Sequence, residues 1–198
     1  MAPGPHPPGH ALHPILGARH VHPLSHHLVP VVVRAGRAPG RHCAGRAAPP
    51  TKLDSGDRDF LESAAQAGHL EVQASRLALE KTRNADLKAF AQKMIDEHGK
   101  AGQQLAALAH GKGYDVPTEP SLTQKARLKA LGLRDEGFDK AYAEEIAVGA
   151  HEDAVALFEK ASNDVKDPDI RQFAIQTLPT LRQHLRMAGT LKQGMDKP

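Results

Sequence analysis

From residue 57 onward the apolar positions recur at intervals of three and four, the period of an α-helix with one buried face. The spacing predicts a first helix over 57–82, with Phe60, Ala64, Ala67, Glu71, Ala74 and Ala78 on its inner stripe. Asp57 and Asp59 suit its start, where carboxylates meet the positive end of the helix dipole. A second helix is predicted over 85–110, capped by Asn84 and ended by Gly111. Its stripe is Leu87, Phe90, Met94, His98, Ala101, Leu105 and Leu108. A third, over 139–162, turns Val148, His151, Val155 and Phe158 inward. The fourth begins near Pro168, a favourable first-turn residue, and aligns Ile170, Ala174, Thr177, Leu181, His184, Ala188 and Leu191. No segment alternates with a period of two, so no sheet is predicted.

Short connections make helices one and two, and helices three and four, antiparallel hairpins. Between the pairs, Pro117 and Pro120 break the chain. Ser121-Leu122-Thr123-Gln124 then reads as a capping box opening a short helix that ends near Gly132. The expected fold is all-α, a ferritin-like four-helix bundle of two hairpins joined by a crossover that contains a short helix. Asp86-Leu87-Lys88-Ala89-Phe90-Ala91 and Asp169-Ile170-Arg171-Gln172-Phe173-Ala174 open helices two and four with one pattern, as expected of related halves.

Composition changes the picture at the N-terminus. Residues 1–50 hold 10 of the 15 prolines and 8 of the 13 histidines, with five arginines and no acid, lysine or aromatic residue. The reading is a low-complexity tail over 1–56, either a disordered extension or a defective or misassigned signal region, followed by the bundle domain over 57–194. Its best apolar run, 28–33, is short and broken by Pro30. Cys43 lacks the apolar residue expected three places before a lipid-modified cysteine. Residues 51–198 carry 21 basic against 23 acidic side chains, so the overall charge of +3 belongs to the tail. That argues against a nucleic-acid-binding surface on the folded part. A membrane span, which needs about 20 apolar residues, is not expected.

Candidate chemistry lies where polar residues interrupt the apolar stripes. Glu71, His98, His151 and His184 all fall on inward positions near the middle of their helices. Mid-height positions come level whether neighbouring helices are parallel or antiparallel, so the four are expected to share one layer. An unpaired charge there costs several kcal/mol, so the four must satisfy one another or bind something. Three imidazoles and a carboxylate suit one divalent transition ion, zinc, iron or copper. Met94 and Met187, one turn from His98 and His184, would favour copper if they point inward. The alternative is a metal-free hydrogen-bonded layer that fixes helix register. Pairing of Glu71 with protonated histidine would make that layer most stabilising in mild acid.

Sharper motifs fail. His151-Glu152-Asp153-Ala154-Val155 has valine where a zinc protease has its second histidine. The di-iron Glu-x-x-His pattern is missing, since Ile95, Val148 and Leu181 precede the three histidines by three residues. Glu144 is expected to be solvated, and His69 to face outward. Pro179 is expected to kink or bulge helix four and so aim His184. No catalytic residue is assigned; an enzyme on this layer would be a metal-dependent oxidoreductase.

Taken together, Phe60 with Ala64-Ala65, Gly68 and Glu71-Val72, then Phe90-Ala91, Met94 and Asp96-Glu97-His98, resemble a bacterial family of ferritin-like helical domains, domain of unknown function 4142. Phe138-Asp139, Tyr142, His151, Leu178-Pro179 and His184-Leu185 continue the resemblance over residues 57–193. It implies an exported protein of the periplasm or outer membrane, with possible envelope association, and no established activity. The functional expectation is an exported bundle holding one divalent metal ion. The alternative is a metal-free envelope or stress-related structural or interaction protein.

Overall fold

The computed structural model describes residues 52–196, and the expectations for residues 1–51 lie outside the described residues. Every regular element among the described residues is helical. Helices α1 (Ser55–Lys81) and α2 (Ala85–Gly111) form the first hairpin, joined by residues 82–84. Helix α3 (Leu122–Gly132) lies in the crossover. The third long helix is composite: α4 (Phe138–Ala141), a π-helical segment (Tyr142–Ala150) and α5 (His151–Asp164) follow without a break. Helix α6 (Pro168–Met195) completes the second hairpin after residues 165–167. The α1–α2 and α5–α6 faces are the most extensive, and α2 on α6 and α1 on α5 close the bundle. Among the described residues no helix is long and apolar enough to cross a membrane.

The element starts follow their capping chemistry. The Asn84 carboxamide accepts from Leu87 N at 3.0 Å, opening α2. In α3 both halves of the capping box form: Gln124 N donates to Ser121 Oγ, and Ser121 N to Gln124 Oε1. Helix α1 starts two residues before the periodicity places it, because Asp54 accepts from Gly56 N and Leu53 joins the core. Asp57 does not serve the α1 dipole alone. It is buried, and its two oxygens accept from Lys166 N at 2.8 Å and Asp167 N at 3.0 Å, clamping the α5–α6 turn onto the start of α1.

The core has two apolar halves. Leu70, Leu87, Phe90, Met94, Leu131, Phe138, Tyr142 and Ile146 belong to one. Phe60, Leu61, Leu105, Phe158, Ile170, Ala174 and Leu181 belong to the other. Along α2 the first half ends at Met94 and the second begins at Leu105; along the third helix the change falls between Ala150 and Ala154; along α6 it falls between Leu181 and Ala188. His98, His151 and His184 occupy those gaps.

Two positions differ from the periodic reading. Val148 and Val155 are half-buried, and Ile146, Ala147 and Ala154 take the inner positions. A π-turn closes at i→i+5 and holds more residues per turn, so the inner face shifts within Tyr142–Ala150. Pro179, expected to distort α6, is exposed and α6 runs through it. A π-helical irregularity falls in the segment immediately before His151.

Candidate metal centre

Each of the four layer residues is carried near the middle of a long helix, and each is buried. His151 is the first residue after the π-helical segment, so the extra residue in that turn sets which way its ring projects. Arg127 of α3 donates to the Glu145 carbonyl inside the segment, tying the crossover to the turn that aims His151. Glu144 is exposed, as expected, and takes no part in the layer.

The three imidazoles form a nearly equilateral triangle. Ring centroids are 5.3 Å apart for His98–His151, 5.1 Å for His98–His184 and 5.4 Å for His151–His184. One nitrogen of each lies within 4.8 Å of the other two. His98 Nε2 and His151 Nε2 are 3.3 Å apart. Two nitrogens bonded at about 2.0–2.1 Å to one tetrahedral ion stand roughly 3.3–3.4 Å from each other. The pair therefore already has the separation that a shared ion requires.

Carboxylates and a carbonyl face the opposite ring nitrogens. Glu71 Oε2 is 2.7 Å from His98 Nδ1, and Glu71 Oε1 is 3.6 Å from His151 Nδ1. His151 Nδ1 is also 3.5 Å from the Ile146 carbonyl. His184 Nε2 is 2.5 Å from Glu97 Oε2. Glu71 thus stands on the Nδ1 side of His98 and His151, away from the close Nε2 pair. Glu71 Oε1 and His184 Nδ1 are buried with no hydrogen-bond partner among the described residues.

The charges sort themselves. Burial would push the Glu71 carboxyl up, but His98, and then His151, outweigh it and hold it down to about 2. Burial would lower His98, but the Glu71 carboxylate beside it raises it above the ordinary histidine value. Burial dominates at the other two rings: it lowers His151, and pushes His184 down to about 4 against the hydrogen bond it donates to Glu97. The shifts favour a Glu71–His98 ion pair beside two imidazoles whose protonation burial opposes. In that state His98 Nε2–H donates to His151 Nε2, and His184 Nε2–H to Glu97. The His184 Nδ1 lone pair is left unshared.

Glu97 was not among the sequence-derived candidates. It is half-exposed, pairs with Lys93 one turn earlier, and still reaches His184 on α6. The adjacent pair Glu97-His98 was the available signal: neighbours on a helix point about 100° apart, so His98 faces the core while Glu97 reaches the α2–α6 seam. Tyr142 also escaped. Its hydroxyl meets Ser75 Oγ at 2.8 Å in the apolar half next to the layer, and burial raises its pKa. His69, expected outward, is half-buried and donates to the Pro117 carbonyl at 3.2 Å. Met94 is buried in the first apolar half, and Met187 packs against it. A pocket of about 50 Å³ adjoins the layer, lined among others by Gly68, Glu71, His98, Gly102, Thr177 and His184.

Residues 43–191 match the model of the family described as a domain of unknown function, DUF4142. The chain belongs to the DUF4142 family. The comparison with curated proteins finds no match for this DUF4142 chain. Among solved structures, a crystal structure of a DUF305 fragment from Deinococcus radiodurans is 19% identical, with a TM-score of 0.61 over 72% of this chain and 99% of that one. CopM in its Cu(I)-bound form is 15% identical, with a TM-score of 0.60 over 71% and 98% of the two chains. CopM in its Cu(II)-bound form is 16% identical, with a TM-score of 0.60 over 70% and 97%. These likenesses show that the DUF4142 chain shares its helical fold with both.

Proposed function

We propose that the protein is a metal-binding helical bundle that holds one transition-metal ion through His98, His151 and His184, with copper the first choice of ion. The carrying observation is the 3.3 Å separation of His98 Nε2 and His151 Nε2, within a triangle whose third ring has an unshared buried nitrogen. In this reading His184 binds through Nδ1. Glu71 orients His98 and His151 from behind, and Glu97 orients His184, as carboxylates do behind metal-bound histidines. Glu71, a ligand candidate from spacing, takes the orienting role because it faces the Nδ1 atoms. Copper is supported by the imidazole donors and by the copper held in CopM, a protein of the same fold. A bound copper ion would supply one-electron chemistry, whereas zinc would supply only Lewis acidity.

The test is elemental analysis of the full chain after loading and desalting. The variant His98→Ala/His151→Ala/His184→Ala serves as a blank for ions held by the tail histidines. One more ion per chain in the wild type than in the blank supports the reading, and equal content defeats it. A second reading, a metal-free layer that fixes helix register, is favoured by the 2.7 Å Glu71–His98 pair. It expects equal content and stability insensitive to chelator. Export to the periplasm or outer membrane belongs to the same proposal and rests on the family resemblance. Fractionation that finds the protein in the cytoplasm, still starting at Met1, would count against it.

A further inference from the structure

Helix α3 is apolar on two opposite faces. One lies on the bundle, where Leu131 is buried and Leu128 packs beside it against the first apolar half. The other faces outward. Leu122 is 85% exposed and Leu133 75%, more than any other large hydrophobic residue among those described. Leu133 caps α3 in helical conformation and donates its N–H to the Lys129 carbonyl, so it continues the helical path. At about 100° per residue, Leu122, Ala126, Ala130 and Leu133 fall within about 80° of one another and form one stripe. Ala126 and Ala130 are exposed as well. Lys125 and Lys129 border the stripe and Arg134 follows Leu133, all three exposed. No acid occurs between Pro120 and Arg134. Of the acids around α3, Glu119, Asp135 and Glu145 pair with Lys125, Lys81 and Arg134. Such pairs at the surface are weak and exchange readily for another anion.

We propose that the outer face of α3 docks on an anionic lipid surface, with Leu122 and Leu133 entering the acyl boundary and Lys125, Lys129 and Arg134 meeting lipid phosphates. The inference does not depend on the metal centre. Area and charge select the occupant. A helix of 11 residues is about 16 Å long and 10–12 Å across, so its outer face offers roughly 160–200 Å². A stable protein interface needs about 800 Å² from each partner. A second copy of the face would also set Lys125 and Lys129 against like charges. A bilayer demands no matching shape. It takes up leucine side chains at the boundary of headgroups and acyl chains, and its anionic headgroups attract each nearby lysine or arginine.

The probe is a vesicle of phosphatidylcholine and phosphatidylglycerol, set against vesicles of phosphatidylcholine alone, with the full chain throughout. The tail arginines are common to every variant, so differences between variants report on α3. Co-sedimentation with the anionic vesicles is expected to fall at least fivefold in Leu122→Ser/Leu133→Ser and at least twofold in Lys129→Glu. The chain has no tryptophan, so Leu133→Trp reports on this face without background. Its emission is expected to shift to the blue on anionic vesicles and to be quenched by brominated acyl chains. The emission of Ile175→Trp, at a 46% exposed position on α6, is expected to stay unchanged. If the double leucine variant fails to fold, Lys129→Glu and the tryptophan pair decide. Co-sedimentation equal to that of the wild type in the deciding variant overturns the proposal. So does a Leu133→Trp emission that does not move, or that moves no more than that of Ile175→Trp. Equal binding to neutral vesicles defeats the role of the basic residues. A wild type that is dimeric in solution and becomes monomeric in Leu122→Ser/Leu133→Ser would assign the face to a second copy instead.

Discussion

The two hairpins contribute to the layer in different ways. The α1–α2 hairpin is regular α-helix throughout, and it supplies a charged pair, Glu71 and His98 at 2.7 Å. The second hairpin carries the π-helical segment and Pro179, and it supplies two imidazoles that burial keeps neutral, His151 and His184. One half thus brings a pair that satisfies itself without an ion. The other brings two neutral imidazoles, His151 directly after an irregular turn and His184 within α6. A site assembled this way can fold empty and still accept a cation, because only the proton on His98 Nε2 must leave.

The largest expected effect separates the halves by charge. In chelator, His98→Ala strands the buried Glu71 carboxylate, and denaturant unfolding is expected to show a loss of about 3–5 kcal/mol. His184→Ala strands nothing comparable, since Glu97 keeps Lys93 as a partner. It is expected to cost only about 1–3 kcal/mol. Equal losses would erase the distinction.

The pH dependence follows from the same contrast. His184 is lowered to about 4 in the folded chain, so below the ordinary value near 6.5 the unfolded state takes up a proton that the native state refuses. Stability of the metal-free protein is expected to fall between pH 6.5 and 4, on the order of 3 kcal/mol from this group. His98 acts oppositely: raised by Glu71, it stabilises below 6.5 and loses that contribution as pH rises through its folded value. Glu71 stabilises above its unfolded value of about 4.5, and loses that contribution only as pH falls through about 2. His151, also lowered by burial, adds to the loss in acid, while Glu71 and His98 keep the mild-acid contribution expected of their pair. Acid unfolding curves of wild type and His184→Gln in chelator check this. The slope between pH 6.5 and 4 should be shallower in the variant.

How much of this the sequence discloses also divides by hairpin. Periodicity and caps locate α1 and α2 to within two residues, and mid-helix position brings Glu71, His98, His151 and His184 into one layer. The capping box at Ser121 locates α3. The π-turn is illegible because its residues fit an α-period equally well, and the side chain that meets its Glu145 carbonyl, Arg127, sits on another helix. Glu97 and Asp57 escape for a related reason. Each is polar at a helix position that reads as solvent-facing, and each has its partner on the other hairpin.

Smaller effects sharpen the contrast in the π-helical segment. Arg127→Ala frees the Glu145 carbonyl and is expected to cost about 1–2 kcal/mol. It is also expected to shift the spectrum of Cu(II) bound at the layer, through His151. Loss of stability with an unchanged spectrum would uncouple the π-turn from the site. At the small end, Gly99→Ala in α2 meets open space and is expected to stabilise by about 0.5–1 kcal/mol. Gly149→Ala places a Cβ 3.3 Å from the Glu144 carbonyl and is expected to gain nothing. Equal gains would mean that the π-turn yields readily.

The central claim is that His98, His151 and His184 hold one ion together, and its most direct measurement is thermal unfolding of the full chain with and without Cu(II). Ions held by the tail need not stabilise the bundle, whereas an ion bound across the helices must. At about 100 times the dissociation constant, binding adds about 2.7 kcal/mol, a rise in Tm of roughly 5–10 °C for a domain of this size. The rise is expected in the wild type, reversed by chelator, and lost in both His151→Ala and His184→Ala. A rise that persists in either variant, or no rise in the wild type, would contradict a metal centre built by these three side chains.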